Sequence, residues 1–130
     1  MSEGEKKSAG ARLKIQARLM LDDEIAFGPG KADLLRAIQA TGSISAAGKQ
    51  LGMSYRRAWL LVDAMNRCFQ HPLVETATGG TQGGGTRLTS LGLDVLQGYQ
   101  QLQQDLHALS EKHFPQFKPL LRKKPVLPSS

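Results

Sequence analysis

Apolar residues fall at Ile44, Ala47, Gly48 and Leu51, the i, i+3, i+4, i+7 spacing that gathers side chains on one face of a helix. Ser43 precedes them as a natural N-cap and Gly52 follows where a helix ends through positive φ, so the pattern predicts a short helix and a sharp turn. Ser54 then caps a second helix whose buried stripe is Ala58, Leu61, Val62, Met65 and Phe69. Tyr55, Arg56, Arg57, Trp59, Leu60 and Asp63 are left elsewhere on that cylinder.

Upstream, strict alternation places Leu13, Ile15, Ala17, Leu19 and Leu21 on one side and Lys14, Gln16, Arg18 and Met20 on the other, which predicts a half-buried strand. Asp22, Asp23 and Glu24 form a turn, and Ile25 to Phe27 pairs back as a hairpin. Gly28, Pro29 and Gly30 break the run before a helix with Leu34, Leu35 and Ile38 on its apolar face, closed by Thr41 and Gly42. The helix pair therefore belongs to a three-helix core.

Downstream of Phe69, Pro72 stops the helix and Leu73, Val74, Glu75, Thr76 read as a short strand. The loop Thr78 to Thr86 follows, then a second strand at Arg87, Leu88, Thr89: strand, glycine-rich loop, strand is a wing. From Ser90 to about His113 the pattern is one long helix capped by Thr89, about 36 Å at 1.5 Å per residue. Val95, Tyr99, Leu102, Leu106 and Leu109 are spaced as a heptad seam, which suits a partner helix and favours a homodimer over packing on the chain's own first helix and hairpin. The fold class expected is mainly α with a small β component, a winged helix-turn-helix with a long C-terminal dimerisation helix. Its domain boundaries are a disordered tail over 1–11, the winged domain over 12–113 with the dimerisation helix at about 90–113, and a Pro-rich basic tail over 114–130, taken as disordered in isolation.

The formal charge of +6 suits an acidic partner such as nucleic acid, and its distribution sharpens the point. Between Gly42 and Leu93, Lys49, Arg56, Arg57, Arg67 and Arg87 face only Asp63 and Glu75, and from His113 onward Lys118, Arg122, Lys123 and Lys124 meet no acid. The lone cysteine allows no internal disulfide and fits a reducing cytoplasm. No apolar run has the length of a membrane span, and the opening residues lack the apolar core of a signal peptide, so a soluble cytoplasmic protein is expected, with no membrane partner.

Arg56 and Arg57 occupy the first turn of the second helix, where the positive end of the helix dipole disfavours cations unless an outside anion compensates. Double-stranded DNA supplies that anion, and recognition helices use their N-terminal residues on bases and phosphates. The candidate DNA-contacting set is Ser43, Ser45 and Lys49 on the first helix of the pair, Ser54, Tyr55, Arg56, Arg57 and Trp59 on the second, and Thr81, Gln82 and Arg87 on the wing. The plain alternatives are a helical hairpin with two solvated arginines and a loop that contacts nothing. A phosphate-binding nucleotide loop is set aside, because no Lys follows the glycines and a strand-like segment intervenes. Cys68 and His71 are too few for a zinc site, His107 and His113 lie on a distant helix, and no catalytic constellation is recognisable. The expectation is a non-enzyme with no cofactor and no metal.

The stretches GSISAAGKQLGMSYRRAWLLVDAMN and LVETATGGTQGGGTRLTSLG resemble the N-terminal domain of ModE-type molybdate-responsive transcriptional regulators, a likeness covering roughly Leu13 to His113. GSISAAGKQLG alone bears a more distant likeness to LysR-type winged helices. The ModE resemblance implies a winged helix-turn-helix dimer joined through the long helix, with Ser54, Tyr55, Arg56, Arg57 and Trp59 at groove-reading positions and Gly79 to Gly85 as the wing. Full-length members continue into an oxyanion-binding β-barrel module, for which the Pro-rich basic tail offers no β-rich segment. The chain is thus expected to be a stand-alone DNA-binding half. Its signal would come from an effector-sensing partner protein, from expression level or from a ligand at an unrecognised site. The rival readings are a protein-interaction module that binds another regulator, and a nonspecific nucleoid-type binder.

Overall fold

The computed structural model describes residues 10–77 and 85–129. Two compact units make up the chain, one of Gln16–Gln103 and one of the described parts of Met1–Ile15 and Gln104–Ser130. The order of elements is β1 (Leu19–Leu21), β2 (Glu24–Phe27), α1 (Pro29–Thr41), α2 (Ile44–Gln50), α3 (Tyr55–Cys68), β3 (Val74–Ala77), β4 (Gly85–Leu88) and α4 (Ser90–His113). Among the described residues this is the mainly helical winged helix-turn-helix, with its long terminal helix, that the hydrophobic pattern predicts.

Local signals set the helix boundaries. Gly42 ends α1 at φ 71°, with its N–H on the Ile38 carbonyl. Ser43 caps α2 by accepting from the Ala46 N–H at 3.1 Å. Gly52, also at φ 71°, turns the chain, and Ser54 caps α3 by accepting from the Arg57 N–H at 3.1 Å. Thr89 caps α4, its hydroxyl accepting from the Gly92 N–H at 3.0 Å.

The core of the larger unit joins all three short helices to both hairpins and the first half of α4. Phe27, Leu34, Leu35, Ile38, Met65 and Leu73 are its largest fully buried side chains, each worth about 1.5–3 kcal/mol of apolar burial. Phe27 meets Tyr99 edge to face at 5.1 Å and Phe69 at 6.4 Å. α4 turns Leu96 and Tyr99 inward, with Leu91 and Val95 half-buried against the same cluster.

The half-buried strand expected from Leu13 to Leu21 is not what forms. Only Leu19–Leu21 is strand, and Leu19 and Leu21 are 53% and 51% exposed. Two causes are visible. A bulge between Leu19 and Met20 shifts the register against β2, and the Ala17 carbonyl accepts from the Tyr99 hydroxyl at 2.7 Å instead of from a strand partner. The second hairpin is regular: Val74, Glu75, Thr76 and Ala77 face Leu88, Arg87, Thr86 and Gly85.

In the smaller unit the Ser110 hydroxyl donates to the His107 carbonyl at 2.7 Å near the end of α4. Single 3-10 turns follow at Phe114–Gln116 and Lys118–Leu120, where Pro115 and Pro119 permit no longer helix, and Leu120 and Leu121 are exposed. The first nine residues of the expected N-terminal tail lie outside the described residues, as do Thr81, Gln82 and most of the wing loop.

Candidate nucleic-acid interface

Close approach of α2 and α3 is what presents the front of α3. A Cβ built at Gly48 lies 3.2 Å from the Ala58 Cβ, so this crossing accommodates only the smallest side chains. Ala47 and Ala58 are fully buried beside it. The stripe Ala58, Val62 and Met65 faces the core, with Leu61 and Phe69 half-buried at its margins, which leaves the opposite face of α3 free.

On that face Tyr55 and Trp59 are 59% and 38% exposed and meet edge to face at 6.2 Å, a preformed aromatic pair on the first turn and a half. Arg56 and Arg57 are exposed in the first turn, where no acidic residue is present. Among the described residues neither has an ion-pair partner. Three other arginines differ. Arg67 binds Glu24 at 2.6 Å and Asp63 at 2.8 Å, Arg36 binds Asp33 at 2.7 Å, and Arg87 binds Glu75 at 2.8 Å across the wing. Arg87, a wing candidate, is thus engaged within its own hairpin, though both partners are exposed and such a pair is worth only about 0–1 kcal/mol.

Ser43 and Ser54 spend their hydroxyls as caps, while Ser45 and Lys49 are exposed on α2 and Lys49 carries no ion pair among the described residues. The wing is held from two sides. Asn66 of α3 accepts from the Leu73 and Val74 N–H groups at 2.9 and 3.3 Å and donates to the Val74 carbonyl at 3.2 Å. The Thr86 N–H of β4 donates to the Gly42 carbonyl at 2.9 Å. Periodicity assigns Asn66 no role; its one signal in the sequence is its place at the end of the stretch GSISAAGKQLGMSYRRAWLLVDAMN that carries the ModE resemblance.

Of the seam residues, Tyr99 is buried in the chain's own core and Val95 packs half-buried against it. Leu102 and Leu109 are exposed on α4 and Leu106 is half-buried. Arg67 holds the Glu24 carboxyl below its ordinary value by hydrogen bonding, and Glu24 and Asp63 in turn keep Arg67 more firmly protonated. Among the described residues no group of three or more His, Cys, Asp and Glu is placed to hold a metal, and no helix is long and apolar enough to cross a membrane.

No protein-family model matches the chain. Curated relatives do. The chain is 42% identical over 92 residues to the DNA-binding transcriptional dual regulator ModE of Escherichia coli K12, covering 71% of this chain and 33% of that protein. It is 40% identical over 102 residues to the molybdenum transport protein ModE of Azotobacter vinelandii, covering 74% of this chain and 38% of that one. Among solved structures, ArgP of Mycobacterium tuberculosis aligns with a TM-score of 0.48 at 20% identity, over 65% of this chain and 30% of that one. The chain spans about a third of the length of the ModE relatives. With three helices, a wing and a long helix in the expected order, the region that they share makes this chain a ModE-type winged helix-turn-helix domain.

Proposed function

We propose that the chain is a sequence-specific DNA-binding transcriptional regulator that acts as a homodimer on a pseudo-palindromic operator, in molybdate-linked gene control. The observation that carries this reading is the pair Arg56 and Arg57: cations on the positive end of α3, with no acid in the turn and no ion pair among the described residues. Each costs about 0.3–1 kcal/mol against the helix dipole, a cost that a DNA phosphate or guanine edge reverses. Two copies paired through Leu102, Leu106 and Leu109, with Val95 and Tyr99 bracing the seam, would set two α3 helices into successive major grooves. The names of the ModE relatives support both DNA binding and the molybdenum connection.

In this reading Tyr55 and Trp59 pack on sugars or thymine methyls, Ser43, Ser45, Ser54 and Lys49 contact the backbone, and Thr81, Gln82 and Arg87 reach flanking DNA from the wing. The test is titration of an operator duplex with the parent chain and an Arg56→Ala, Arg57→Ala double variant. A base-reading arginine contributes about 1–3 kcal/mol and its loss relaxes specificity at one position. Equal affinity of parent and double variant contradicts the assignment.

A further inference from the structure

Gly98 has no reason to be glycine within its own chain. It lies exposed in the interior of α4, where glycine is a poor helix former, and a Cβ built on it meets nothing within 4 Å. Gly92, earlier on the same helix, differs, because there the Leu73 carbonyl leaves no room for a side chain. What a bare position on an exposed helix face does permit is the close approach of another backbone from outside the chain.

Gly98 lines a groove of about 340 Å³ between α4 and the segment that enters β1, wholly inside the larger unit. Phe27 and Tyr99, packed edge to face at 5.1 Å, form its floor. Val95 and Leu102 flank Gly98 on the α4 side, and Leu19 lines the groove from the hairpin side. Leu19 and Leu102 are exposed and Val95 is half-buried, so the rim is apolar and open. With Tyr99 turned into the core, the outward row on this part of α4 runs Val95, Gly98, Leu102, the alternating three and four spacing that suits a facing helix. An apolar rim of this kind marks an interaction surface.

The charges on the rim discriminate between occupants. Arg18 lines the groove on the hairpin side and Asp94 on the α4 side; both are exposed, and among the described residues neither has an ion pair. Burial raises the Tyr99 hydroxyl above its ordinary pKa and the Arg18 charge opposes that shift, so the charge is felt inside the groove. One unpaired cation and one unpaired anion on the two walls of an apolar groove make a self-complementary surface. A second copy related by a two-fold axis brings its anion to this cation and its cation to this anion. DNA offers nothing to Asp94, and a small apolar ligand leaves both charges unpaired.

We infer that the groove seats α4 of a second copy, the two helices crossing at Gly98 so that the partner's Leu102 enters the groove and Arg18 of each copy pairs with the partner's Asp94. This seat rests on the homodimer proposed above and not on DNA binding.

Sedimentation equilibrium of the full chain tests it, on the parent and on Gly98→Leu, Arg18→Glu and Asp94→Arg, with helix content by circular dichroism as the check on folding. A side chain at Gly98 enters open space and both charges are exposed, so the three variants should keep the parental helix content. Each should raise the dimer Kd by about tenfold or more, Gly98→Leu by blocking the crossing and each reversal by setting two like-charge pairs across the axis. An equimolar mixture of Arg18→Glu and Asp94→Arg should then associate with close to the parental Kd, because the heterodimer restores opposite charges at both pairs. An ion pair within one chain cannot produce that rescue. A parent dimer that all three variants leave unchanged, or a mixture no tighter than either variant alone, overturns the groove as the seat and leaves the homodimer standing. A monomeric parent overturns both. A monomeric parent whose groove takes up anilinonaphthalene sulfonate, with uptake lost in Gly98→Leu, would assign the groove to a small apolar ligand instead.

Discussion

Thr86 in the wing donates its N–H to the carbonyl of Gly42, the residue that ends α1, at 2.9 Å. One hydrogen bond thereby fastens β4 to the turn that leads into α2, so the wing and the helix pair share a joint. Asn66 supplies a second fastening from α3 to the start of β3. Together these bonds tie both strands of the wing to the three-helix core.

The turn residues are the first place to test this. Gly42 and Gly52 both sit at φ 71° with open space around them, so an added Cβ is penalised by backbone conformation alone. Gly42→Ala and Gly52→Ala should each destabilise by about 1–2 kcal/mol in urea unfolding, with Asn recovering part of the loss. Neutral alanine variants would contradict the left-handed turns.

Gly92 fails for a different reason. A Cβ there would lie 2.2 Å from the Leu73 carbonyl oxygen, which is also the acceptor for the Thr89 N–H at 2.9 Å. Backbone must move, so Gly92→Ala should cost on the order of 3 kcal/mol even though alanine is the better helix former. Thermal unfolding measures it; a stabilised Gly92→Ala variant would show that α4 does not press on the Leu73 backbone in this way.

Asn66→Ala should cost about 1–3 kcal/mol, because the Leu73 and Val74 N–H groups lose their acceptor in a partly buried place. Amide exchange at Leu73 and Val74 should accelerate more than exchange in α1. Uniform acceleration across the chain would assign Asn66 to general stability and not to the wing joint.

Acid sensitivity follows from Glu24. Arg67 lowers its pKa in the folded chain relative to an ordinary value of 4.5, so the unfolded chain binds the proton more readily as pH falls. The stabilisation is complete above the unfolded pKa and is lost as pH drops below 4.5 through the lowered folded value. Glu24→Gln should therefore be less stable than the parent at pH 7 and should show a flatter loss of stability below pH 4.5. Parallel acid limbs for the two chains would contradict the pairing.

The helices were legible in the sequence because their signals are local. Ser43, Gly52 and Ser54 act on backbone groups no more than four residues away, and Ala58, Val62 and Met65 repeat within one element. What stayed hidden joins distant residues. Tyr99 reaches back 82 positions to the Ala17 carbonyl, and that bond, with the bulge at Leu19, undoes the strand that alternation from Leu13 predicts. Arg67 meets Glu24 across 43 positions. Periodicity records which residues share a face, but not which face another element will cover; Tyr99 fits a heptad seam and also fits the core.

Whether α3 reads an operator as half of a dimer is decided by selecting bound sequences from a random duplex pool at physiological salt, then titrating the winner against a scrambled duplex. A two-fold-related motif should emerge, bound at least tenfold more tightly than the scrambled duplex, a difference of about 1.4 kcal/mol. Equal affinity for the two duplexes, or no binding to either, would contradict a dimeric operator-reading role for α3.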